Sequence, residues 1–96
     1  MMGSVVLEAK KTLCMIQLVN ELPVLRACLG LSQEEVADRI GISRQTYNSI
    51  ESKRRNLTWS NCISLTTLFA SNEKTRKMLE TNSDLLNLLD EVLKAK

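Results

Sequence analysis

The side chains best equipped for chemistry cluster between residues 44 and 55. Arg44, Gln45, Asn48 and Ser49 alternate at helical spacing with the apolar Tyr47 and Ile50, which leaves the four polar residues on an outward face. Lys53, Arg54 and Arg55 follow at once. Residues 39–55 carry five bases against one acid, whereas residues 32–38 carry three acids and no base. Positive charge gathered in one short stretch is what phosphate binding requires. An ordinary solvated basic face has the same composition, so charge alone leaves both readings open. Catalysis is poorly served. There is no histidine, no paired-carboxylate setting, no glycine-rich phosphate loop and no cysteine with a credible base. The chain is therefore not expected to be an enzyme or to need a cofactor. Cys14, Cys28 and Cys62 are far apart, form no CxxC and have no histidine to join them, so no metal site is expected. Each lies among apolar neighbours and reads as a reduced, small hydrophobe of a cytoplasmic protein.

The elements that must position the outward face are helical. The 96 residues suit one domain, with 44% hydrophobic and only 3% aromatic residues, three glycines and one proline. That composition points to an aliphatic all-α core. Ser32-Gln33-Glu34-Glu35 is a capping box that opens a helix with Val36, Ala37 and Ile40 on one face. Gly41 ends it, Ser43 caps the next, and that helix runs to about Ser52. Thr58 caps a helix over Trp59–Phe69, Asn72 or Ser71 starts one through Leu79, and Ser83 starts a last one. Trp59 reads as core or partly exposed packing. Upstream, Val6, Ala9, Leu13 and Ile16 keep a three-to-four spacing that predicts a helix starting near Ser4. Asn20 is expected to cap a separate helix over Glu21–Leu29, with Pro23 in its first turn and Gly30 behind it. No apolar run reaches the length of a membrane span on this reading.

The string LRACLGLSQEEVADRIGISRQTYNSIESKRRN, residues 25–56, resembles the Cro and lambda-repressor-like helix-turn-helix family, also called the XRE family. Several features agree at fixed offsets: Arg26, Leu31-Ser32-Gln33, Val36-Ala37, Ile40-Gly41-Ile42-Ser43 and Ile50-Glu51. The resemblance implies a lambda-repressor-like DNA-binding domain of about five helices over residues 20–70. Residues 1–19 would be an N-terminal extension, and residues 71–96 would supply C-terminal helices for dimerisation. It also implies that the helix at about 43–52 enters the major groove. Arg44, Gln45, Asn48 and Ser49 would then meet base edges, the arginine suiting guanine and the amides adenine. Gln33, Thr46, Lys53, Arg54 and Arg55 would contact phosphates, with Gln33 also bracing the recognition helix. Arg26 and Glu51 match a buried structural ion pair. Two positions depart from the pattern. Where the family often has glycine after this helix, the chain has Lys53, so either the helix runs on or Lys53 is strained. Tyr47 fills a usually aliphatic position, and its hydroxyl is expected to reach solvent or a phosphate.

The function so implied is a sequence-specific regulator of transcription, a repressor, binding pseudo-palindromic double-stranded DNA as a homodimer through its C-terminal helices. The Leu85–Leu93 stripe either folds back on the domain or forms that subunit interface. The competing function is a protein-interaction module, such as an antitoxin or phage-type accessory factor, whose DNA binding is secondary. The two segments outside residues 20–70 are what favour it.

Overall fold

The computed structural model describes residues 2–94. Six helices follow in order: α1 (Met2–Leu29), α2 (Gln33–Ile40), α3 (Arg44–Glu51), α4 (Trp59–Ala70), α5 (Glu73–Asn82) and α6 (Leu85–Lys94). No strand occurs among the described residues. The fold is all-α, as expected of a lambda-repressor-like domain.

The local signals around α2, α3 and α4 act as their chemistry dictates. Ser32 Oγ accepts from the Glu35 amide at 3.0 Å, and the Glu35 carboxylate accepts from the Ser32 amide at 2.9 Å. Those two amides would otherwise be orphaned at the helix start. Ser43 and Thr58 cap α3 and α4 through the amides of Thr46 and Asn61. Gly41 closes α2 at φ 78°, a left-handed conformation that costs glycine nothing because it has no Cβ.

α1 departs from the expected pattern. It is one helix, and Asn20 caps nothing: Pro23 lies inside it. A proline in a helix interior removes one hydrogen bond and crowds the carbonyl four residues earlier, at a cost of about 3 kcal/mol. Two facts let α1 continue. Pro23 is on the exposed side of the helix, where its ring meets no packed neighbour helix. On the opposite side Cys14, Leu18, Leu22 and Leu25 are at most 1% exposed, so one continuous stripe is buried on both sides of the proline. Burial of each leucine contributes about 1.5–3 kcal/mol, so the stripe outweighs the break.

α1 is the spine of the molecule and packs against α3, α4, α5 and α6. Val36, Ala37, Tyr47, Ile50, Cys62, Leu65, Phe69, Leu79 and Leu85 complete the core around its buried stripe. Fusion of the two expected helices also corrects the hydropathy reading. Val5–Leu29 is long and apolar enough to cross a membrane by length and composition. Yet one side of that helix is the core of the helical domain, and removing it would strip α3, α4, α5 and α6 of their partner.

The leucine stripe of α6 faces this same spine. Leu85 and Val92 are buried, while Leu86, Leu88 and Leu89 pack against the core. Leu93 alone of the stripe is strongly exposed, at 63%. Lys10 and Glu91 meet at 3.5 Å where α6 lies along α1. Val6, Ala9, Leu13 and Ile16 instead occupy the outer side of α1, all exposed.

Candidate nucleic-acid interface

α2 and α3 meet through the tight turn at Gly41, Ile42 and Ser43, and both bury their apolar faces in the shared core. Tyr47 and Ile50 fix the rotation of α3, so Arg44 and Gln45 are left exposed. Neither makes a side-chain hydrogen bond within the described residues, and both guanidinium and amide are free for a ligand. The N-terminus of α3 lies beside them, with Ser43 Oγ donating to Thr46 Oγ1 at 2.9 Å.

The chain after α3 is set by Lys53, which adopts φ 65°. The Lys53 amide donates to the Ile50 carbonyl at 3.0 Å and the Arg54 amide to the Ser49 carbonyl at 2.9 Å, the two bonds of a Schellman closure. Of the two alternatives left by the sequence, the helix ends and Lys53 is the strained residue. The same turn swings Arg54 and Arg55 back over α3. Arg44, Gln45, Thr46, Asn48, Ser49, Arg54 and Arg55 thereby line one open concavity with a mainly polar wall. Lys53 falls outside it and, together with Arg55, borders a second groove against α1.

Behind this surface runs a chain of polar contacts. Arg26 holds Glu51 through two bonds, Nε to Oε2 at 3.1 Å and Nη2 to Oε1 at 2.8 Å. Gln33 Nε2 donates to Glu51 Oε1 at 3.4 Å, and Gln33 Oε1 accepts from Asn48 Nδ2 at 2.9 Å. Asn48 Oδ1 accepts in turn from Arg54 Nη2 at 2.5 Å. Burial pushes the Glu51 carboxyl up, but hydrogen bonds led by that from Arg26 more than offset it and hold it below the usual carboxylate range. The Arg26–Glu51 pair thus has the position and the low exposure of a structural clasp between α1 and α3.

Two expectations gain detail and one changes. Asn48, expected at a base edge, is held in the DNA-free molecule between Gln33 and Arg54, which leaves it one amide proton and one oxygen lone pair. Gln33 lies behind α3 and braces it, with one amide proton left to offer. Tyr47 does not reach solvent: it is 0% exposed, and its hydroxyl sits against the Arg26–Glu51 pair without a well-formed hydrogen bond. Burial raises its pKa, which keeps the phenol neutral. The Asn48–Arg54 contact was absent from the sequence reading. It joins residues six apart, a spacing no helix brings together, and exists only because Lys53 reverses the chain.

Residues 25–70, just under half of the chain, match a family model described as helix-turn-helix. That stretch is similar to the Cro/C1-type helix-turn-helix, the DNA-binding unit typical of XRE-like regulators, a family not typically enzymatic. No curated protein and no solved structure matches the chain.

Proposed function

We propose that the chain is a sequence-specific regulator of transcription that reads the major groove of double-stranded DNA with α3. The observation that carries this reading is the pairing of free Arg44 and Gln45 on a well-capped helix with a basic turn folded over the same surface. Arg44 and Gln45 supply most of the base discrimination, at about 1–3 kcal/mol for each good bidentate contact. Ser49 adds a weaker contact, and Asn48 contributes through the amide proton and lone pair that Gln33 and Arg54 leave free. Thr46, Lys53, Arg54 and Arg55 hold phosphates and set register, with Gln33 offering its remaining amide proton. One such surface covers one half-site, so a pseudo-palindromic operator is filled by two copies. Action by occluding a promoter, as a repressor in the cytoplasm, is part of this proposal.

Selection of bound DNA from a random pool tests the reading. An enriched inverted repeat, bound with steep salt dependence and lost to an Arg44→Ala/Gln45→Ala variant of unchanged stability, is the expected result. Weak binding without any enriched sequence would overturn it and favour a protein-interaction module built on a helix-turn-helix scaffold.

A further inference from the structure

The outer face of α1 has no partner in the fold. Val5, Val6, Leu13 and Ile16 are 69%, 51%, 47% and 54% exposed. Ala9 and Asn20 lie between and beyond them on the same face, also exposed. Residues 6, 9, 13, 16 and 20 step by three and four without interruption. That period lays a seam along one side of a helix, and its natural occupant is another helix that follows the same seam. We infer that this face is a self-association surface that pairs with the same face of a second copy of the chain.

Charge favours a second copy over a lipid surface. No charged residue stands on the seam. The flanking Lys10 is already matched within the chain by Glu91 at 3.5 Å, while Lys11 lies on the opposite side over Trp59 and meets Glu8 at 3.4 Å. A helix that lies on an anionic membrane keeps an unmatched basic rim instead. Because the face is uncharged, two copies meet without repulsion at the seam, and a two-fold arrangement satisfies both at once.

Size sets the strength. Residues 5–20 span about 24 Å of helix at 1.5 Å per residue. The seam alone falls short of the roughly 800 Å² per partner of a standard interface. A groove of about 660 Å³ beside Ile16 and Asn20, walled on its far side by Lys53, Arg55 and Leu57, extends it. The pairing is therefore reversible in the free protein and completed on DNA. Arg55 lies in both this groove and the concavity over α3. The self-association face and the DNA-facing surface consequently share an edge, and pairing through α1 brings two basic turns near each other. Their mutual repulsion is relieved by salt. Self-association should strengthen as salt is raised, the opposite of DNA binding.

This deepens the two-copy reading above, but it is measured without DNA, so failure of DNA recognition and failure of this interface are separable. Sedimentation velocity on the full chain, over two decades of concentration and at low and high salt, is the test. The expected result is a mass rising from 10.8 kDa toward twice that value, more readily at high salt. Leu13→Glu/Ile16→Glu, two exposed positions, should remain monomeric with unchanged helicity and melting temperature, while Leu93→Glu on α6 should associate like the parent. A parent chain monomeric throughout, association kept by Leu13→Glu/Ile16→Glu or lost by Leu93→Glu, or association weakened by salt would each overturn the inference. So would flotation of the parent, but not of Leu13→Glu/Ile16→Glu, with anionic phospholipid vesicles.

Discussion

A single backbone angle governs how the basic residues are presented. Lys53 is the sole non-glycine with positive φ among the described residues, and a left-handed L-residue costs roughly 1–2 kcal/mol. That strain closes α3 and turns Arg54 back onto Asn48 and Arg55 into the concavity. Glycine at this position would take the conformation freely, though it gives up more entropy on folding. Lys53→Gly is therefore expected to stabilise the fold by about 1 kcal/mol, or roughly 4–8 °C in melting temperature for a domain of this size. It should also weaken DNA binding equally on all sequences, because it deletes a charge and no base contact. Thermal melts beside titrations on a selected and an unrelated duplex would check both halves. A less stable Lys53→Gly would show that the lysine side chain stabilises the turn by more than its backbone strains it.

The elements divide into those written locally and those decided by the whole core. Ser32, Ser43 and Thr58 announce helix starts because a cap is a contact between residues three apart, and all three act as caps. Arg26 and Glu51 were legible through the resemblance, and they meet as a two-bond pair. The continuity of α1 was not legible, since Asn20 and Pro23 are local signals for a break. What overrides them is burial of Leu18, Leu22 and Leu25 against helices far away in sequence. Pro23→Ala should accordingly stabilise the domain by about 2–3 kcal/mol, the helix penalty of proline less its restraint of the unfolded chain. Urea unfolding would register this as a higher midpoint with an unchanged slope. The Asn48–Arg54 contact was hidden for a related reason, because it depends on a backbone reversal that lysine does not advertise. The clasp between α1 and α3 has its own signature in acid. The Glu51 carboxyl lies below its ordinary value of 4.5, so the folded state favours the ionised form. Its contribution is complete above that value and is lost as pH falls through the lower, folded one. Glu51→Gln leaves Arg26 without its charge partner, and with Arg26 still 23% exposed the loss at pH 7 should be about 3 kcal/mol. Unfolding free energies of parent and variant should converge progressively below pH 4.5. A gap that stayed constant into strong acid would mean that the pair acts through packing, not through charge.

At the scale of the whole molecule, the net charge of +2 conceals an uneven field. Lys53, Arg54 and Arg55 stand together at one end of α3, and the one acid nearby, Glu51, is neutralised by Arg26. The charges offered to DNA by one copy are thus chiefly three, and affinity should come from releasing the counterions they displace. Each neutralised phosphate lowers the slope of log K against log salt by about 0.9. One copy on a half-site should then give a slope of about −3, and two copies on a full inverted repeat about −5. Lys53→Gly should move these values by about one and two respectively. Arg44→Ala, which touches a base on this reading, should lower affinity for the selected site while changing the slope less. Anisotropy titrations over several salt concentrations, on a half-site and on a full site, would measure all of these together. Equal slopes on the half-site and the full site would mean that one copy binds at a time, in which case a two-fold operator could not be what this surface reads. A slope near zero on both would remove phosphate contact from the mechanism and leave the basic turn as an ordinary solvated face.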